Sequence, residues 1–296
     1  MSTPILSPDM RWPSPAFLVV SIALMSWGVP SFAEGDLSSL DKYRSCFLLK
    51  EGDHLKIEEG ECQTRYSPSS SFKIPLSLMG FDSGILQDSD HPVWPYQEGY
   101  VSWLPSWKTT QTPKSWIQNS CVWYSQQLIQ QLGMAQFQKY VTRFSYGNQD
   151  VSGEPGQNNG LMRSWLSSSL QISPREQLIF LEKMVFLQLP ISQQAVQKTR
   201  DILLVQTLPN GWTVYGKTGS GPLLAHPKST PKAPVQHGWF VGFAENSKQE
   251  KAKRDQSKKI LFFVNHIVDE KPEATYAGPR AQQQTIQRLQ GILNRL

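Results

Sequence analysis

Apolar residues along this chain fall into short runs near both ends and longer segments in the middle. Cys46 to Leu49 and His54 to Ile57 flank Glu51-Gly52-Asp53, which predicts two strands around a turn. Phe72 to Ile85 is apolar and follows a Pro/Ser-rich stretch, Ser67 to Ser71, so a helix is expected with Ser70 at its N-terminus. Pro75 removes one helical hydrogen bond unless it falls within the first turn. Residues 88 to 114 are rich in Trp, Pro and Ser and predict irregular structure. Ser115 to Leu132 reads as one helix stopped by Gly133, and Ala135 to Phe144 as another. Ser145 to Gly160 is a Gly/Asn/Pro loop whose length points to an Ω-type functional loop. Ser173-Pro174-Arg175-Glu176 is a capping box opening a helix to about Leu187, and Ser192 to Val205 predicts a further helix. Trp212 to Lys217, Trp239 to Glu245 and Ile260 to Val268 are strand candidates, and Pro279 to Leu296 closes the chain as an amphipathic helix. Strands at both ends with helices between them predict an α+β fold.

The N-terminus changes this picture. Arg11 precedes an apolar run, Phe17 to Trp27, and Ser31-Phe32-Ala33 is a small-x-small cleavage pattern. Residues 1–33 therefore read as a secretory leader, leaving 34–296 as the folded domain. The run is too short for a membrane span and ends in Gly28 and Pro30. The rest of the chain holds no stretch long enough to span a bilayer, so an exported protein without stable membrane association is expected, periplasmic if the source is Gram-negative. The formal net charge of +5 is mild, and part of it comes from the tract Lys248 to Lys259. That tract lacks interleaved aromatics, which argues for a solvated loop and against nucleic-acid binding. The five histidines show no metal-binding spacing, and no phosphate or dinucleotide loop occurs. Cys46, Cys62 and Cys121 leave at least one thiol unpaired. Cys46 and Cys62 lie on neighbouring strand candidates, where a bridge stays open, and Cys121 reads as a buried apolar filler.

Three short motifs then dominate: Ser70-Ser71-Phe72-Lys73, Ser120-Cys121-Val122 and Lys217-Thr218-Gly219. A serine hydroxyl needs a base to act as a nucleophile at neutral pH. Ser-x-x-Lys on a helix puts the lysine nearly one turn on, on the same face. In an apolar pocket that lysine loses its charge and can take the proton. Two further copies, Ser39 with Lys42 and Ser229 with Lys232, lack this setting; the second contains Pro231, and the first sits just after the cleavage pattern.

This trio, with Tyr146-Gly147-Asn148 and Trp165 ahead of Ser169-Leu170, resembles the class D (OXA-type) serine β-lactamases of the penicillin-recognising serine enzymes. The resemblance covers roughly residues 34 to 296. It implies an antiparallel sheet built from both chain ends with an inserted helical lobe. It further implies hydrolysis of β-lactams through a Ser70 acyl-enzyme, with no bound cofactor or metal. Lys73, carboxylated by CO2 or bicarbonate, would be general base for acylation and deacylation. Val122, Phe72 and Leu166 would keep its amine neutral, and the Trp165 indole N–H would hold the carbamate. Taken alone, Trp165 is an ordinary core residue. Ser120 would relay a proton to the lactam nitrogen; its alternative is a mid-helix serine bonding back to a carbonyl. Lys217 and Thr218 would meet the substrate carboxylate, Gly219 would admit close approach, and the backbone N–H groups of Ser70 and Ser220 would form an oxyanion hole.

Arg280 would be a second carboxylate anchor, or else a surface arginine at a helix N-terminus. Glu154 and Asn158 reproduce a class A spacing, but Gln157 stands where that pattern has leucine, so Glu154 reads as an exposed loop residue. Valine in the second motif and the compact length argue against the rival peptidoglycan transpeptidase or carboxypeptidase, and the lack of a long membrane-spanning N-terminal region argues against a β-lactam sensor. Residues Val93 to Trp116 are expected to set the substrate spectrum. A monomer or weak dimer acting on small-molecule penicillins is the expected form.

Overall fold

β1 (Cys46–Glu51) and β2 (His54–Gly60) form the predicted hairpin, and β3 (Leu204–Thr207), β4 (Trp212–Pro222), β5 (Gln236–Asn246) and β6 (Ile260–Val268) come from the other end of the chain. They make one antiparallel sheet in the order β2-β1-β6-β5-β4-β3, so the join between the two chain ends is the β1–β6 ladder. This computed structural model describes residues 44–223, 235–246 and 259–294. The leader assigned to 1–33, most of the basic tract and the two spare Ser-x-x-Lys copies lie outside the described residues.

Eight helices are described. α1 (Lys73–Asp82), α2 (Pro113–Asn119), α3 (Val122–Leu132), α4 (Met134–Arg143), α5 (Gly160–Arg163), α6 (Pro174–Val185) and α7 (Gln193–Ile202) lie between the two strand groups, and α8 (Ala277–Leu293) ends the fold. Alternate side chains of the sheet serve two cores. Cys46, Leu48, Trp239, Val241 and Phe243 pack with the helical lobe, whereas Phe47, Leu49, Phe240 and Ala244 pack with Ala281, Leu289 and Leu293 of α8. Central strands buried on both faces read as continuous apolar runs, which explains the sequence of β6.

α1 is buried at every position from Lys73 to Phe81, as befits a helix surrounded by others. It starts at Lys73, after a 3-10 turn over Ser69–Phe72, so Pro75 lies in its first turn, where it displaces no intrahelical bond. The capping box is present as expected, with Ser173 and Glu176 each accepting the other's backbone N–H. Cys46 and Cys62 form a disulfide with Cα atoms 5.1 Å apart, and Cys121 is a free buried thiol.

Three elements differ from expectation. The helix predicted over Ser115 to Leu132 is two helices, interrupted at Ser120 (φ 55°) and Cys121. The helix predicted to Val205 stops at Ile202, and Leu204–Thr207 forms the short edge strand β3. β4 runs past Lys217 to Pro222, because the Thr-Gly-Ser-Gly segment stays in register with β5. The last two are tertiary pairings that local pattern does not encode.

The loop after α4 is stitched back to residues 169–171. Asn148 donates from Nδ2 to the Ser169 carbonyl (2.7 Å), and its Oδ1 accepts from the Gln171 N–H (3.0 Å). Gly147 has φ 54°, and a methyl there would come within 2.0 Å of the Gln171 carbonyl oxygen. Gly147→Ala is therefore expected to cost about 3 kcal/mol from left-handed strain and displaced backbone, seen as a lower midpoint in urea unfolding. An unchanged midpoint would show that this loop yields freely.

Candidate active site

The 3-10 turn places Ser70 at the entrance to α1 and Lys73 one step inside it. Lys73 Nζ donates to Ser70 Oγ at 3.2 Å. Lys73 is 1% exposed, and burial draws its amine down to about 7, with a smaller opposing effect from Cys121. An amine in that range is substantially neutral near pH 7, the state needed to accept a proton or react with CO2.

Ser120 owes its position to the break between α2 and α3. Its left-handed backbone turns the hydroxyl away from any helical carbonyl and toward β4. Lys217 Nζ donates to Ser120 Oγ at 2.5 Å and to the carbonyl and Oγ1 of Thr218 at 3.1 Å each. The alternative for Ser120, a mid-helix serine bonding back to a carbonyl, does not hold: the residue ends α2 and meets Lys217. Lys217 is buried, and burial followed by the nearby charge of Lys73 pushes its amine well below the ordinary lysine range. Two buried amines thus sit beside three cleft-lining hydroxyls, those of Ser70, Ser120 and Thr218.

Gly219 is where β4 crosses the turn that carries Ser70. A methyl there would lie 2.8 Å from the Pro68 carbonyl oxygen and 2.9 Å from the Ser71 nitrogen. Only a residue without Cβ lets the strand come this close. Ser220 Oγ accepts from the Gly278 N–H at 2.8 Å, fastening the start of α8 to β4. Ser70, Ser120, Val122, Thr218, Gly219 and Ser220 all line one cleft of about 490 Å³.

Trp165 is fully buried and stacks on Phe72, with ring centroids 5.7 Å apart. Its carbonyl accepts from the Ser69 N–H (3.0 Å) and Ser67 Oγ (2.7 Å), which ties it to the segment that carries Ser70. Its indole Nε1 makes no hydrogen bond among the described residues. Leu166 lines the cleft.

Arg280 lies on α8 directly after the cleft-lining Pro279. Its Nη2 donates to both oxygens of Asp269, at 2.7 and 2.6 Å, while its Nε has no hydrogen-bond partner among the described residues. Glu154 is half-buried rather than exposed: Asn159 Nδ2 and Arg163 Nε donate to it at 2.7 and 3.0 Å, and these bonds hold its carboxyl below the usual range. It closes its own loop and is not among the cleft-lining residues. The Cys121 thiol is pushed up to about 11 by burial, which suits an inert filler.

The cleft also brings in residues that motif reading did not single out. Trp103, Leu104 and Trp107 line one wall, and Tyr276 stands ahead of α8. Trp107 is anchored by donating from Nε1 to the Asn119 carbonyl at 2.8 Å, whereas Trp103 is 63% exposed. The tryptophans in the aperiodic segment 88–114 were the available signal, but nothing local gave their direction.

Comparison with known proteins gives the family. A family model described as the penicillin binding protein transpeptidase domain matches residues 31–291. The chain is 46% identical to the β-lactamase OXA-9 of Klebsiella pneumoniae over 64% of its own length and 69% of that protein. The chain belongs to the class D β-lactamases. The β-lactamase OXA-1 of Escherichia coli is 39% identical over 67% of this chain and 70% of its own. The crystal structure of the class D β-lactamase OXA-427 superposes with a TM-score of 0.76 at 42% identity, covering 85% of this chain and 99% of that one. The α+β fold and the class D membership expected from the motifs both stand.

Proposed function

We propose that this class D β-lactamase opens β-lactam rings through an acyl-enzyme on Ser70. The observation that carries this reading is Lys73 Nζ at 3.2 Å from Ser70 Oγ, buried, with its amine drawn to about 7. Ser70 passes its proton toward Lys73 as Oγ bonds the lactam carbonyl carbon. The backbone N–H groups of Ser70 and Ser220 receive the developing oxyanion, an interaction worth about 3 kcal/mol per donor. As the C–N bond breaks, Ser120 hands its proton to the lactam nitrogen, and the proton gathered at Lys73 is returned to the Ser120–Lys217 pair, so that every hydroxyl and amine regains its starting state. Water then cleaves the ester.

Carboxylation of Lys73 by CO2 would supply a stronger base for both halves. The residues fit that group: about half of the amine is neutral at pH 7, and the buried indole N–H of Trp165, unpaired among the described residues, is suited to donate to a carbamate oxygen. The test is hydrolysis of a chromogenic cephalosporin with and without added bicarbonate. Turnover stimulated by bicarbonate is expected. A covalent adduct that persists without turnover would instead mark a β-lactam sensor.

Arg280 is the proposed second anchor of the substrate carboxylate, beside Lys217 and Thr218. Arg280→Ala is expected to raise KM about tenfold with little change in kcat. Because that substitution strands the buried Asp269, Asp269→Asn is combined with it to keep the fold. A KM within twofold of the parent would remove Arg280 from the site. We further propose removal of residues 1–33 on export, which N-terminal sequencing of the exported protein tests, and a monomeric or weakly dimeric enzyme.

A further inference from the structure

Three polar side chains from three separate segments converge over Gly221, itself a cleft-lining residue. A methyl built on Gly221 would lie 2.6 Å from Ser69 Oγ, 2.9 Å from Ser167 Oγ and 3.2 Å from His237 Nε2. Ser69 belongs to the turn that carries the nucleophile, Ser167 to the segment after α5, and His237 pairs directly with Gly221 across β4 and β5. Ser69 and His237 are each 2% exposed, and Ser69 Oγ makes no hydrogen bond among the described residues. His237 is held from behind: its Nδ1 is 3.1 Å from Nε2 of the buried His266, and Tyr66 stacks against both rings.

Backbone strain falls at the same place. Ser69 (φ 49°) and Ser167 (φ 55°) both occupy the left-handed region, which serine enters only when the surroundings hold it there. The two segments are also tied through Ser67, whose Oγ accepts from the Ser167 N–H at 2.8 Å and donates to the Trp165 carbonyl. Two left-handed serines and one imidazole nitrogen therefore converge on a point of β4 that has no side chain.

We propose that Ser69 Oγ, Ser167 Oγ and His237 Nε2 form a binding site for one buried water molecule, and that this water braces the turn presenting Ser70. The chemistry selects water over an ion. Two hydroxyls and a neutral imidazole offer both donors and acceptors and no net charge; burial keeps His237 neutral by drawing its ring down to about 4. Buried waters typically make about three hydrogen bonds, the number available here. Seated off the Gly221 Cα, the water would satisfy the Ser69 hydroxyl and hold the left-handed conformation from which the Ser70 N–H follows. Ser69 and His237 are then positioning residues acting through the oxyanion donor. This role rests on Ser70 being the nucleophile, whereas the water site itself does not.

The first test is a crystal structure at a resolution that shows ordered solvent. A water bonded to all three atoms is expected; direct bonds among them with no solvent between would overturn the site. The second is single-turnover acylation by a chromogenic cephalosporin. His237→Phe, which removes Nε2, and Ser69→Gly, which accepts the left-handed turn but lacks the hydroxyl, should each slow acylation about tenfold with Kd changed less than about twofold. The double variant should be no slower than the slower single, and His237→Gln should recover most of the rate. Losses that multiply, or a change in Kd without a change in rate, would refute the positioning role. A parent protein that never acylates would sink the nucleophile assignment separately, and the crystallographic result would still decide the water.

Discussion

Ser70→Ala is expected to lower hydrolysis of a chromogenic cephalosporin by roughly 10⁴-fold or more, leaving the thermal midpoint within about 2 °C of the parent. The size follows from the site's construction. Ser70 Oγ is the hydroxyl bonded to the Lys73 amine, while Ser120 Oγ is engaged by Lys217. Ser71 Oγ is turned away, donating to the Pro68 carbonyl at 2.7 Å, and cannot substitute. Removing Ser70 deletes the covalent route and leaves only the binding surface. Mass spectrometry should show no acyl adduct on the variant. An adduct, or activity within a hundredfold of the parent, would place the nucleophile elsewhere.

Loss of the Lys73 amine has the second-largest expected effect. Lys73→Ala should reduce turnover by about 10²- to 10⁴-fold, the usual range for a general base, and slow acylation should leave an adduct that persists. Added bicarbonate stimulates the parent in this reading and does nothing for the variant. The pH dependence has a definite sign. With the amine drawn to about 7, roughly nine-tenths is neutral at pH 8 and one-tenth at pH 6. Reactivation of bicarbonate-depleted enzyme should therefore climb as pH rises through about 7.

Stability gives an independent reading of the same group. Between about 7 and 10.5 the unfolded chain keeps a proton on Lys73 that the folded protein has lost, so the stability contributed by this residue rises with pH across that window. Lys73→Met, which fills the space without an amine to desolvate, should raise the thermal midpoint by a few degrees at pH 7 and flatten that slope. If Lys73→Met melts lower than the parent and keeps its activity, the buried amine is structural and the base lies elsewhere.

Much of the site was legible because its chemistry is carried by local spacing. Ser70 and Lys73 share a helix face by virtue of their separation, and the apolar run after them announces the burial that depresses the amine. The strands at the chain ends were equally visible, since β1, β5 and β6 are apolar on both faces. Ser120 was legible as a motif member but not as a geometry. Nothing local says that a helix pattern continuous from Ser115 to Leu132 breaks at its sixth residue; docking of the Ser120 hydroxyl against Lys217 is a contact 97 residues apart. Arg280 shows the converse: its residue type suggested an anion, and the fold supplies Asp269 as one partner.

Sequence alone determined the class of chemistry, a serine nucleophile with a lysine three residues on, and the α+β plan of strands at both ends. It could do so because helix periodicity and strand burial act over a few residues, within reach of a single pass along the chain. Tertiary structure decided the rest: which hydroxyl meets which amine, the close crossing of Gly219 over the Ser70 turn, the aromatic wall from Trp103 to Trp107, and the gathering of Ser69, Ser167 and His237 around Gly221. Those arrangements depend on the antiparallel register of β4 with β5 and on a helical lobe packed across it, so they form only when distant segments exclude water from one another.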